Sequence, residues 1–143
     1  TTGLTFEDCL HTYFTIGDIH RAEVRGLEGV TYHDQPSGSQ RVEESDAIRF
    51  VAETDRIYQN TDAATTIVDP ALGRTLVLRK SRSLSTVVCK PWLEKPGRIP
   101  DFGDAEYLLM VCVESGNVRE HAITLAPGAS HTMAVEIATR PLE

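Results

Sequence analysis

The chain is poor in residues that often announce a function. Its 143 residues include three cysteines, two methionines and one tryptophan, and aromatics make up 6%. Cys9, Cys89 and Cys112 are odd in number and widely spaced, with no CxxC pair and no Cys/His ligand spacing. Each is expected to act as a small buried hydrophobe, a usage that suits a reducing, cytoplasmic compartment. The five histidines form no HxxxH or HxH pair, so no metal is expected. Long apolar runs are lacking too. The longest, around Leu108 to Val113, is far short of the roughly 18 residues needed to span a bilayer, and no membrane partner is expected. No secretory signal is visible. The chain begins with Thr1 rather than Met, and the native N-terminus is expected to lie upstream. Positive charge is scarce: 14 Lys and Arg face 21 Asp and Glu, a net charge of −7. That argues against a nucleic-acid partner bound by bulk electrostatics, but leaves room for a small anion held by one or two arginines. There is no phosphate-cradling P-loop, no GxGxxG and no GxSxG elbow.

What the chain does have is a series of short β-rich runs punctuated by Gly, Pro, Asp, Asn and Ser. Leu4 to Phe14, Arg21 to Arg25, Ala47 to Glu53, Thr65 to Asp69, Thr75 to Arg79, Leu84 to Cys89, Tyr107 to Val113, Val118 to Leu125 and His131 to Thr139 read as strands. Tyr107 to Val113 is nearly all apolar, as in a strand buried on both faces. Nine or ten such strands without helical periodicity predict an all-β, antiparallel β-sandwich forming one domain over 1–143. Gln35 to Glu44 and Glu94 to Glu106 read as loops. Glu43 to Ala47 is expected to form one helical turn at most.

Four positions draw attention as chemistry. His11 lies in a strand-like run beside aromatics, where a hydrogen-bonded core histidine and a catalyst are both open readings. Glu114 ends an apolar strand. If desolvated there, its pKa rises and it becomes a better base near neutrality; the bland alternative is a strand-end carboxylate facing water. Asp55, in Asp55-Arg56-Ile57-Tyr58, is either a sugar-holding acid or half of an internal salt bridge. Trp92 is either core packing or the aromatic face of a sugar site, where a ring covers C–H patches and polar groups take the hydroxyls.

Taken in order, these segments resemble one family. Leu10-His11-Thr12-Tyr13-Phe14, Gly17-Asp18-Ile19, Glu53-Thr54-Asp55-Arg56-Ile57-Tyr58, Pro91-Trp92-Leu93-Glu94-Lys95, Asp101-Phe102-Gly103-Asp104 and Val111-Cys112-Val113-Glu114-Ser115-Gly116 resemble the hexose-6-phosphate mutarotase branch of the aldose 1-epimerases. The resemblance implies the C-terminal half of a large antiparallel supersandwich. It implies an isomerase that interconverts the α and β anomers of hexose 6-phosphates, or of free hexoses, without a cofactor. His11 would be the general acid, Glu114 the general base, and Asp55 would help hold the sugar, with Trp92 as the candidate aromatic face. It also implies that an N-terminal half, on this or another chain, supplies the grip on the 6-phosphate. Two departures stand out. Cys89-Lys90 replaces the family's Trp-Asn before Pro91-Trp92, and Ser115 replaces a proline. Lys95 and Arg98 could approach an anion, although a solvated loop is the plainer reading there. The alternative function is a non-catalytic carbohydrate-binding module on the same fold.

Overall fold

The structure is a computed structural model, and it describes residues 2–92 and 106–143. Within them the chain forms fourteen strands, all paired antiparallel. They are β1 (Leu4–Phe6), β2 (Asp8–Leu10), β3 (Tyr13–Thr15), β4 (Glu23–Arg25), β5 (Thr31–Asp34), β6 (Ser39–Val42), β7 (Ala47–Arg49), β8 (Thr54–Tyr58), β9 (Thr65–Asp69), β10 (Arg74–Ser81), β11 (Ser85–Lys90), β12 (Met110–Asn117), β13 (Ile123–Leu125) and β14 (Ala134–Pro141). One sheet runs β14-β10-β9-β4-β7. A larger sheet runs β2-β12-β11-β8-β5-β6, with β3 also on β12, and β1 pairs with β13 in a small separate sheet. The expected antiparallel β-sandwich is therefore present.

The core lies between the two larger sheets. The first contributes Val24, Ile48, Ile67, Leu76 and Leu78; the second contributes Phe14, Tyr32, Tyr58, Val88, Val111 and Val113. Because side chains alternate along a strand, committing Val111 and Val113 to this core sends Cys112 and Glu114 to the opposite face of the large sheet. That division places the chemistry.

Several sequence expectations need correction. Leu4 to Phe14 is three strands rather than one. Gln35 to Glu44 is not a loop throughout: β6 lies inside it and pairs with β5 from Thr31↔Val42 to Asp34↔Ser39. Its polar composition misled because β6 is an edge strand in which Gln40, Arg41 and Val42 all face solvent. Tyr107 does not begin a strand; Glu106–Leu109 is a 3-10 turn and the strand starts at Met110. The stretch after Val118 likewise begins with a 3-10 turn, Arg119–His121, before β13. The three cysteines are not uniformly buried. Cys112 is, Cys89 is half-buried and Cys9 is exposed. Most of the Glu94 to Glu106 loop lies outside the described residues.

A buried polar network fixes β8 to the turn that follows β6. Glu43, only 6% exposed, accepts hydrogen bonds from Tyr58 Oη at 2.6 Å and Arg56 Nη1 at 2.8 Å. The Arg56 guanidinium also stacks over Tyr32, 5.0 Å from the ring centroid. Removing one partner would leave a buried charge uncompensated, at a cost of about 3–5 kcal/mol. Arg56→Ala, which strands the buried Glu43 carboxylate, is therefore expected to lower unfolding free energy by about that amount in a denaturant titration. Because Asp55 is the neighbour of Arg56, the change should also blur resonances on the opposite face of β8.

Candidate active site

The site is built on β12 and the strands paired to either side of it. β12 pairs with β11 on one side, with Val87↔Glu114 and Cys89↔Cys112 in register. On its other side β12 pairs with β2 through Leu10↔Ser115 and with β3 through Cys112↔Tyr13. One register runs through both of these pairings, and it sets His11 directly opposite Glu114. The ladder is interrupted at this point, because the Thr12 N–H turns back to the Leu10 carbonyl at 2.9 Å. The two side chains meet as a cross-strand pair: His11 Nδ1 lies 3.3 Å from Glu114 Oε1, with the His11 side chain 51% exposed and that of Glu114 only 7%.

Period-two alternation brings Cys9, His11 and Tyr13 to one face of one edge, beside Cys112, Glu114 and Gly116 of β12. His11 stacks on Tyr13 at 4.7 Å, nearly parallel. The other carboxylate oxygen, Glu114 Oε2, accepts a hydrogen bond from the Cys9 thiol at 3.2 Å. Gly116 allows this closeness: a Cβ there would sit 2.7 Å from the Asp8 carbonyl oxygen and 2.9 Å from Cys9 Sγ.

Burial raises the pKa of Glu114 above the usual carboxylate value. The Cys9 hydrogen bond and the facing His11 pull it down, and the charge of Asp55 pushes it up. Desolvation is the largest of these causes, so the water-facing reading of Glu114 is set aside. Although Cys9 is exposed as a residue, desolvation of its thiol against Glu114 and the same hydrogen bond push it up to about 12, which keeps it a protonated donor.

Two hollows flank the pair. One, of about 240 Å³, is lined by His11, Tyr13, Asp55, Cys89, Lys90 and Cys112, among others. The second, of about 550 Å³, opens over Cys9, His11, Asp55, Cys89, Glu114 and Arg119, among others. Asp55 borders both, so the fold brings His11, Glu114 and Asp55 together. Trp92 lines neither. It packs edge-on to Tyr107 at 6.0 Å and to His20 at 5.9 Å, against the core. Lys95 and Arg98 lie outside the described residues.

Sequence reasoning missed Cys9 as the partner of Glu114 and the burial of Lys90. That lysine is 0% exposed, its Nζ lies 5.1 Å from the Tyr107 ring centroid, and burial pushes its pKa down to about 8. It also missed a donor cluster: one ligand atom each from His11, Cys112 and Glu114 lie within 4.8 Å of one another. No local spacing signals such a group, since it is assembled across strands.

The sequence profile of the family described as aldose 1-epimerase matches residues 2–138. The chain belongs to the aldose 1-epimerase family. Among its relatives is a protein from Cenchrus ciliaris provisionally named glucose-6-phosphate 1-epimerase. It is 41% identical over 119 residues, covering 82% of this chain and 36% of the relative. An Escherichia coli protein with the same provisional name is 31% identical over 133 residues, covering 92% of this chain and 45% of the relative. The crystal structure of a provisionally named mutarotase from Salmonella typhimurium superposes with a TM-score of 0.83 at 26% identity, covering 99% of this chain and 48% of the other. The chain thus spans less than half the length of these relatives. Among the described residues no helix is long and apolar enough to cross a membrane.

The Cys9 contact has a measurable consequence. Its thiol stabilises the carboxylate form of Glu114, so Cys9→Ala should raise the Glu114 pKa further, read by carboxyl carbon NMR across a pH titration. An unchanged midpoint would show that the thiol does not hold the carboxylate.

Proposed function

We propose that the chain carries the acid and base of a hexose-6-phosphate 1-epimerase, and that the reaction runs between Glu114 and His11. The observation that supports this most is the direct facing of a buried carboxylate and a half-exposed imidazole on one sheet face, with Asp55 beside them.

The chemistry needs one group that begins deprotonated and one that begins protonated, both near neutral pKa. Glu114, with its carboxyl pKa raised by burial, takes the proton from the C1 hydroxyl. His11 gives a proton to the ring oxygen. The bond between C1 and the ring oxygen breaks, leaving an open-chain aldehyde and a C5 hydroxyl. Rotation about the C1–C2 bond presents the other face of the aldehyde. On reclosure His11 takes back the C5 hydroxyl proton and Glu114 returns its proton to the C1 oxygen, so both groups end as they began. The sugar's C1 hydroxyl would approach Glu114 and its ring oxygen His11, and Asp55 would accept hydrogen bonds from sugar hydroxyls.

The sugar is taken to carry a phosphate at C6. It is favoured by the names of the relatives and by the Arg119 side chain at the rim of the larger hollow, where its Nη2 donates to Gln35 Oε1 at 2.7 Å. The remaining length of a complete relative is the expected source of the main phosphate contacts.

Exchange NMR on equilibrated glucose 6-phosphate is the test, in the intact protein. Glu114→Gln and His11→Asn should each slow anomer exchange by about a hundredfold or more, the range of a positioned general base or acid. Wild-type rates in Glu114→Gln would remove Glu114 as the base. Sugar binding without exchange in the unmodified protein would favour the carbohydrate-binding alternative.

A further inference from the structure

We propose that His11, Cys112 and Glu114 form a binding site for a soft divalent cation of the zinc class, and that such an ion shuts the sugar site by occupying it. The binding claim stands on geometry alone. The inhibition rests on the acid and base roles given above.

The donor set is an imidazole, a thiol and a carboxylate. That mixture suits zinc and its neighbours rather than magnesium or calcium, which take oxygen ligands. The distances are close to what the ion requires. Zinc bonds of about 2.0–2.3 Å in a tetrahedral site put ligand atoms about 3.3–3.6 Å apart. His11 Nδ1 and Glu114 Oε1 are already 3.3 Å apart, and the whole set lies within 4.8 Å. Small rotations of the side chains close the difference.

The supports differ in stiffness, and in a useful order. Cys112 and Glu114 are buried residues of one strand, two positions apart and on the same face. They form a fixed pair. His11 is half-exposed and lies at the break in the ladder, so it can swing onto an ion. The smaller hollow reaches both His11 and Cys112, which gives an entry route. Three protein ligands leave the fourth position for water, as in open zinc sites.

Protons balance simply. Cys112 is a buried thiol, and it must lose its proton to solvent when it binds the ion as thiolate. His11 binds as neutral imidazole and Glu114 as carboxylate. The bound ion then occupies the nitrogen and the oxygen that would exchange protons with the sugar. Metal and reaction are mutually exclusive.

Cobalt is the probe for the site, with zinc as competitor. Metal-free protein titrated with Co²⁺ should take up one equivalent with a thiolate-to-cobalt charge-transfer band, and Zn²⁺ should displace it. Cys112→Ser should abolish the band and weaken Zn²⁺ binding at least tenfold. His11→Gln, a change at a half-exposed position, should weaken Zn²⁺ binding to a similar degree while keeping the band, and it decides the matter if Cys112→Ser does not fold. Absence of the sulfur band, its survival in Cys112→Ser, or Zn²⁺ affinity unaltered in His11→Gln would each overturn the site. In the intact protein, zinc should halt anomer exchange with a midpoint at its binding Kd, and a chelator should restore it. Exchange that continues with zinc bound would overturn the inhibition and leave the site standing. A metal-free protein that never exchanges anomers would instead count against the proposed function, while the cobalt spectrum would still decide the site.

Discussion

Everything in the candidate site depends on β12 being paired on both sides. With β11 along one edge and β2 and β3 along the other, this strand is buried at all eight of its positions. A carboxylate held there cannot reach bulk water freely, and burial raises its pKa. The same pairing sets His11 opposite it and Cys9 against its second oxygen. Cost and use are thus coupled. The sheet tolerates a poorly solvated carboxylate because two side chains from the adjoining edge meet its two oxygens, and that poor solvation suits it to act as a base.

The two faces of the large sheet divide the work. Val111, Val113 and Val88 hold the sandwich together, and the alternate residues are released to line the hollows. On β8 the division repeats: Arg56 and Tyr58 turn inward to Glu43, while Asp55 turns out beside the site. Structure and chemistry are interleaved residue by residue, so a register slip of one position would bury the site and expose the core.

Much of this could be read from the chain itself. The β character, the antiparallel sandwich and the candidate group His11, Glu114 and Asp55 followed from apolar alternation and from ordered family-like segments. The alternation of Cys9, His11 and Tyr13 was present too, as was that of Cys112, Glu114 and Gly116. What a single sequence cannot supply is the register that lays one series against the other. For that reason the Cys9 thiol bond and the His11, Cys112 and Glu114 cluster appear only in three dimensions. Edge strand β6 was hidden because an exposed strand carries no apolar pattern. Trp92 was ambiguous by nature, since large aromatic rings serve cores and sugar sites alike, and its described contacts are with Tyr107, His20 and the core.

In the proposed reaction the buried carboxylate of Glu114 is the group whose ionisation starts the chemistry. That role can be read by following one pH axis twice in the intact protein, once by carboxyl carbon NMR of Glu114 and once by exchange NMR of glucose 6-phosphate anomers. Glu114 should titrate above the ordinary carboxylate value of 4.5, and kcat/KM should fall on the acid side with the same midpoint. An exchange rate that stays level while Glu114 passes from carboxylate to acid would contradict it.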